Sequence, residues 1–140
     1  MMLENIEGVF LQKDTIKIIA NEAIKHLPKE ACGLIGAQRL SDGNINLVVF
    51  PVLNKSKKNN RFLISDQDIL LIQKRCKSLG YSLCGCYHSH PKGRDIPSTK
   101  DILCASKSNL KVWAIYSVRL NRLSIYNMGA VPIKIEYRIE

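Results

Sequence analysis

The stretch at residues 87–101 constrains the fold more than any other part of the chain, because it holds two histidines and an acid at fixed spacing. His88 and His90 are two residues apart, seven residues separate His90 from Ser98, and Asp101 follows three positions later. On a β-strand, residues two apart face the same side, with backbones about 6.5–7 Å apart. The Pro97–Ser98 pair predicts a helix start with Asp101 in its first turn. A strand end and a helix start brought together would close a site.

Two imidazoles and one carboxylate suit a catalytic zinc ion, which takes three protein ligands and keeps a fourth position open. The candidate metal ligands are therefore His88, His90 and Asp101. A competing interpretation treats Ser98 and Asp101 as a capping box, in which the serine caps a helix and the acid reaches back to it. The spacing alone is compatible with both.

The complete combination resembles the JAMM family of zinc metalloproteases, also called MPN-plus. The family pattern is a distant upstream Glu, then His-Ser/Thr-His, seven residues, Ser, two residues and Asp, and residues 88–101 fit it without a gap. An upstream segment, residues 28–36 with the sequence PKEACGLIG, is similar to the family's Glu-containing strand start. With two separate segments in agreement, the resemblance covers most of the chain.

The resemblance implies an α/β fold in which helices flank a mixed sheet, with a cytidine-deaminase-like core, and one Zn²⁺ per chain. It implies that Glu30 acts as the proton-transferring base and that Ser98 donates a hydrogen bond to the developing oxyanion. Family members cut amide bonds after the C-terminal Gly-Gly tail of ubiquitin-like proteins, and several small prokaryotic members act on sulfur-carrier proteins. With 140 residues there is little room for insertions. We therefore expect a zinc metallopeptidase acting on a ubiquitin-like or sulfur-carrier protein; the alternative is a non-catalytic MPN-type scaffold that binds proteins.

The five cysteines are odd in number and are not spaced like a disulfide framework, so buried thiols are expected. A rival zinc cluster would use Cys84, Cys86, His88 and His90 from one strand face. Cys84 lies six residues before His90, which is about 20 Å of strand. Zinc ligands lie about 2.0–2.3 Å from the ion, so this cluster would need a sharp bend in the strand.

A zinc deaminase is excluded because its His-x-Glu and Pro-Cys-x-x-Cys motifs are missing.

Composition predicts one globular domain over residues 1–140, since the chain is 46% hydrophobic and has no long low-complexity segment. The sequence has no apolar run long enough for a membrane helix and no signal-peptide pattern at its start, so a cytoplasmic protein without a membrane partner is expected. The oligomeric state is not predicted.

The net charge of +9 favours an acidic partner. The basic residues concentrate at positions 55–61 and 92–94, where a solvated loop is the other interpretation. Nucleic acid is not expected as a partner, because no aromatic residues interleave with the basic ones as a stacking platform requires.

Periodicity and turn residues predict three helices, beginning near Asp14, at Ser65 or Asp66, and at Ser98. They end near residues 27, 79 and 108. Asn54 is interpreted as a turn residue, and Ser89 is expected to face away from both histidines. The predicted strands lie at residues 6–10, 31–37, 45–53, 61–64, 81–88, 111–118, 122–126 and 131–137.

Overall fold

The computed structural model describes residues 8–140, which form an eight-stranded mixed sheet with three helices. The order across the sheet is β7-β6-β5-β4-β2-β3-β1-β8. The strands are β1 (Val9–Leu11), β2 (Cys32–Arg39), β3 (Ile45–Val52), β4 (Ser82–His90), β5 (Val112–Ser117), β6 (Arg122–Asn127), β7 (Ile133–Ile135) and β8 (Arg138–Ile139). The helices are α1 (Thr15–Lys25), α2 (Asp66–Ser78) and α3 (Thr99–Ser106).

Helices cover both faces of the sheet, because each carries one apolar stripe that must be buried. On one face, Ile19 and Ala23 of α1 join a core that includes Tyr87. On the other face, Ile69 of α2 and Ala105 of α3 pack in a second core around Trp113. The predicted α/β architecture, a mixed sheet flanked by helices, is confirmed.

The central strands bring distant parts of the sequence to one end of the sheet. β2 runs antiparallel to β4, so the start of β2 at Cys32 lies opposite the end of β4 at His88. β4 runs parallel to β5, and α3 forms the connection between them. The carboxyl end of β4, the amino end of α3 and the residues just before β2 therefore meet.

Several element predictions need correction. The segment at 61–64, predicted as a strand, is irregular, and the predicted strand at 131–137 is shortened to β7, while β8 begins beyond it and was not predicted. Asp14 precedes α1, but its side chain makes no capping hydrogen bond. The first strand is shifted to Val9–Leu11, and the part of its prediction before residue 8 lies outside the described residues.

The last two strands show that the sheet is strongly curled. β7 pairs with β6 at one edge, whereas β8 pairs with β1 at the other. Only three Cα–Cα steps separate Ile135 from Arg138, a distance of at most about 11 Å. The two edges therefore come close together. Along residues 8–140, no helix has the length and apolar character needed to cross a membrane.

Candidate metal centre and active site

The end of β4 places both histidine side chains on one face of the sheet. The Nε2 atoms of His88 and His90 are 3.0 Å apart. His88 is fully buried, whereas His90 is partly exposed. Strand alternation produces this pairing, as the spacing predicts.

The first turn of α3 brings Asp101 to the same point. Its Oδ1 lies 3.2 Å from His88 Nε2, and its Oδ2 lies 3.2 Å from His90 Nε2. The capping box is also present, since Ser98 Oγ accepts a hydrogen bond from Asp101 N at 3.1 Å and Asp101 Oδ2 accepts one from Ser98 N at 2.9 Å. The two interpretations of this pair are therefore compatible, because one carboxylate caps the helix and faces both imidazoles.

The hydrogen bond made by His90 Nδ1 determines the orientation of the His90 ring. Nδ1 donates to the carbonyl oxygen of Arg94 at 2.7 Å, which leaves Nε2 as the nitrogen facing Asp101. A neutral ring in this orientation would set a lone pair against a carboxylate oxygen. The arrangement becomes favourable when a cation lies between them, either a proton on Nε2 or a metal ion.

The electrostatics of the pair agree with that requirement. Burial favours a higher pKa for Asp101, but hydrogen bonds from His88 and His90 outweigh it and hold the pKa well below its usual range. Burial favours a lower pKa for His90, yet its hydrogen bonds to Asp101 and to the Arg94 carbonyl raise the pKa above the ordinary value. The site is thus built around a negative carboxylate that stabilises positive charge beside it.

The donor set fits zinc. A tetrahedral ion with ligands about 2.0–2.1 Å away separates its ligand atoms by about 3.3 Å. His88 Nε2 and His90 Nε2 are 3.0 Å apart, and each lies 3.2 Å from a different oxygen of the Asp101 carboxylate. In the described part of the chain, this is the group of potential metal-binding side chains whose donors converge, all within 4.8 Å of one another.

Glu30 and Ser98 border the same site. Glu30 precedes β2 and is 8% exposed, and it reaches the end of β4 because β2 and β4 are antiparallel. Burial raises the pKa of Glu30, although His88 and His90 act in the opposite direction. Both Glu30 and Ser98 line two adjoining clefts, one of which opens beside His90 and the other beside Asp101. The predicted base and the predicted oxyanion donor therefore lie next to the predicted ligands.

The two clefts differ in their walls. The larger has a volume of about 600 Å³ and is bordered by His90, Lys92, Gly93 and Lys100. The smaller has a volume of about 220 Å³ and adds Arg61, Phe62, Leu103 and Cys104. Both clefts thus have basic side chains in their walls, and the smaller cleft adds the apolar side chains of Phe62 and Leu103.

Ser89 faces away from the histidines, as predicted. Its Oγ accepts a hydrogen bond from Ala31 N at 2.8 Å, and its backbone N donates to the Ala31 carbonyl at 3.0 Å. Because Ala31 follows Glu30, these bonds attach the backbone next to Glu30 to β4, the strand that carries the histidines.

Asn54 has a larger role than the turn that its sequence context indicates. Its Nδ2 donates to the carbonyl oxygens of Glu30 and Arg61, both at 2.9 Å. Its Oδ1 accepts from Ser56 N at 2.9 Å and Leu63 N at 3.0 Å. One amide therefore closes the basic loop at residues 55–63 and attaches it beside Glu30. The sequence feature that could have indicated this role is the position of Asn54 between a strand and a cluster of basic residues.

Sequence reasoning also missed Phe62. Its ring stacks on His88 with centroids 4.6 Å apart, and Trp113 meets His88 edge-on at 5.7 Å. These rings cover a buried ligand candidate with apolar surface, which keeps water from its sides.

The rival cysteine cluster is wrong. A bulge between β2 and β4 pairs Ile35 with Gly85 and Gly36 with Leu83, so Cys84 is an extra residue. Cys84 consequently joins the core under α1, whereas Cys86 joins the opposite core. Gly85 is needed at the bulge, since a Cβ there would lie 1.7 Å from the Val112 carbonyl oxygen. Cys104 is exposed, and the other four thiols are buried.

Comparisons with known proteins agree with this fold and identify the family. The family of prokaryotic homologs of the JAB domain matches residues 12–131. A protein from Desulfitobacterium hafniense, solved in solution, is similar at 24% identity with a TM-score of 0.80, covering 94% of this chain and 92% of that one. A JAB1/MPN domain protein from Archaeoglobus fulgidus is similar at 17% identity with a TM-score of 0.62, and the match covers 96% of this chain and 99% of that one. A protein from Salinibacter ruber is similar at 19% identity with a TM-score of 0.66, and the match covers 93% of this chain and 90% of that one. No curated protein matches the sequence.

Proposed function

The chain belongs to the family of prokaryotic homologs of the JAB domain, and from this we propose that it is a zinc-dependent metallopeptidase. The proposed reaction is hydrolysis of the amide bond after the C-terminal Gly-Gly tail of a ubiquitin-like or sulfur-carrier protein. The observation that carries it is the convergence of three donor atoms beside an open cleft bordered by Glu30 and Ser98.

His88, His90 and Asp101 would hold one zinc ion through Nε2, Nε2 and a carboxylate oxygen. When bound, zinc would supply Lewis acidity that makes a water molecule nucleophilic near neutral pH. The raised pKa of Glu30 suits a carboxylate that must take up a proton and release it again. Glu30 would accept a proton from the attacking water and deliver it to the leaving amine.

Ser98 keeps a hydrogen to donate even while it caps α3. Its oxygen accepts from Asp101 N, so its O–H is free to point into the clefts that it lines. In the proposed reaction this O–H donates to the carbonyl oxygen as negative charge develops there. Helix capping and oxyanion stabilisation then use different parts of one hydroxyl group.

The substrate proposal rests on the family resemblance and on charge. The cleft is bordered by Lys92 and Lys100, and the neighbouring loop carries exposed Lys57, Lys58 and Arg61. With a net charge of +9, this surface favours an acidic protein body docked beside a tail in the cleft. A Gly-Gly tail suits close approach to the proposed metal site because glycine has no side chain.

The test combines metal analysis with cleavage. Purified protein should contain one zinc per chain and should release the group attached beyond Gly-Gly in a ubiquitin-like fusion, with a chelator abolishing release. Zinc without cleavage of any Gly-Gly-tailed protein would favour another amide substrate. Neither zinc nor cleavage would favour a non-catalytic scaffold domain.

A further inference from the structure

The segment at residues 91–97 connects the proposed ligands but supplies none of them. It follows His90 and leads to Ser98, which begins the helix that carries Asp101. Its carbonyl at Arg94 accepts the hydrogen bond from His90 Nδ1 at 2.7 Å. Since that bond determines which ring nitrogen faces the site, the position of the Arg94 carbonyl matters for the ligand.

The next residue, Asp95, anchors that carbonyl from within the protein. Asp95 is 3% exposed, and its carboxylate accepts from Arg122 Nε and Nη2, both at 2.9 Å. Ser124 Oγ donates to the same carboxylate, and the Tyr126 hydroxyl donates to the Asp95 carbonyl oxygen at 2.8 Å. The three donors are alternate residues of β6 and so share one face of that strand.

A second anchor lies on the other side of Arg94. Ser117 Oγ donates to the Gly93 carbonyl oxygen at 2.7 Å, and Val118 N donates to the His90 carbonyl oxygen at 3.2 Å. The Arg94 peptide is therefore held from both neighbours, by β5 on one side and β6 on the other. A buried carboxylate is costly unless it is fully paired, and Asp95 is paired by a bidentate guanidinium and a hydroxyl.

We propose that Asp95 is a positioning residue for the metal site. Through the Arg94 carbonyl it holds His90 as the Nδ1–H tautomer with Nε2 toward Asp101, and Arg122 holds Asp95 in turn. This inference rests on the proposed zinc site, and it adds that β6, which supplies no ligand, contributes to metal affinity and geometry.

The experiment measures Co²⁺ binding to the intact protein by chelator competition and by the visible Co²⁺ spectrum. Asp95→Asn keeps the shape of the side chain but loses the charge that pairs with Arg122. Loss of a residue that orients a metal ligand weakens metal affinity by about 10–100-fold. We expect that loss together with a changed spectrum, and the same effects in Arg122→Gln, whose half-exposed side chain makes it the safer variant for folding.

The control is Tyr137→Phe, which removes a hydroxyl that donates to the Leu123 carbonyl oxygen of β6 at 2.6 Å and makes no hydrogen bond to segment 91–97. It should leave affinity and spectrum unchanged. Wild-type affinity and spectrum in folded Asp95→Asn or Arg122→Gln would overturn the proposal, as would an equal loss in Tyr137→Phe, which would indicate general destabilisation.

Nitrogen NMR of His90 in metal-free protein separates this proposal from the zinc assignment. Wild-type protein should show a slowly exchanging proton on His90 Nδ1, held by the Arg94 carbonyl whether or not Nε2 also carries a proton, and Arg122→Gln should exchange that proton faster. If wild-type protein binds no Co²⁺, the proposed function fails, and unchanged exchange of the Nδ1 proton in the variant would overturn the positioning role as well.

Discussion

The ring of Phe62 stacks on the ring of His88, with planes 18° from parallel. Phe62 belongs to the loop that Asn54 closes, so the loop reaches from the end of β3 to a proposed ligand. Any rearrangement of this loop must therefore expose or shift His88. The link makes the basic loop part of the site rather than a separate surface feature.

Metal binding should depend on the three converging side chains. Replacing His88 or Asp101 by alanine removes one of three donors, so zinc content should fall sharply from one per chain while circular dichroism shows a folded domain. His26→Ala is the matched control, because His26 follows the last residue of α1, contacts Glu22 and lies outside the donor group. Full zinc retention in the His88/His90 double alanine variant would exclude the assignment.

Glu30→Gln should separate metal binding from catalysis. The amide keeps the size of the side chain but cannot accept and return a proton, so zinc content should stay the same while kcat falls by about 10²–10⁴-fold. The measurement is turnover of the Gly-Gly fusion beside metal analysis of the same sample. Wild-type turnover in Glu30→Gln would remove Glu30 from the mechanism.

Ser98→Ala should lower kcat by about 10²-fold while zinc is retained, since it removes one oxyanion donor. It also removes a helix cap, which costs about 1 kcal/mol of stability. Ser65→Ala isolates that second effect, because Ser65 caps α2 through the same bond, from Asp68 N at 3.1 Å. Equal activity loss in the two variants would assign the effect of Ser98 to capping alone.

Docking by the basic loop predicts a salt dependence that differs between substrates. Electrostatic attraction is screened beyond about 8 Å at physiological salt. Added salt should therefore lower kcat/KM for a whole ubiquitin-like substrate and change cleavage of a short tail peptide little. Lys57→Glu with Lys58→Glu should lower kcat/KM for the whole substrate by about tenfold or more.

The control for charge reversal is Lys17→Glu, at an exposed position on α1 across the sheet from the site. Like each loop substitution, it replaces a positive side chain by a negative one, but it should leave kcat/KM for both substrates unchanged. Equal salt sensitivity for the protein and the peptide would exclude a docking role for the loop lysines, which would then be ordinary solvated side chains.

Asn54→Ala should release the basic loop while the sheet stays intact. The variant loses four hydrogen bonds, two of them to the loop amides of Ser56 and Leu63. Those amides should exchange hydrogen faster, and turnover should fall because Phe62 no longer stays on His88. Asn44→Ala, in the exposed hairpin turn, is the control and should change neither. Wild-type exchange at Leu63 in Asn54→Ala would contradict the role of the amide.

The helices and central strands could be predicted because their buried faces repeat at regular intervals. The stripe on α2 and the run from Cys32 to Ala37 report burial directly, and the spacing of His88, His90 and Asp101 follows from strand and helix periodicity. Segment 61–64 misled the same reasoning. Phe62 and Ile64 both pack into a core, so the alternation is real, but residues 61–64 pair with no strand in the described chain.

Other features depend on contacts that no local pattern encodes. The bulge at Cys84 changes which residues share a face, and it follows from close approach of Gly85 to β5. The bonds of Asn54 join residues 24 positions apart, and those of Asp95 reach 27 to 31 positions along the chain. Sequence reasoning identified the candidate ligands and could not identify the residues that hold them in place.

The curled sheet leaves an incoming polypeptide few places to add as a strand. The outermost strands, β7 and β8, are only three and two residues long. β1 pairs with β3 only as far as Leu47, so residues 48–52 of β3 have no strand on their outer side within the described chain. Pro51 lies near the end of that stretch and lacks the N–H that an added strand would need. Backbone recognition of the proposed substrate tail would therefore fall to the loops around the cleft, where a change in selectivity would leave the sheet unaltered.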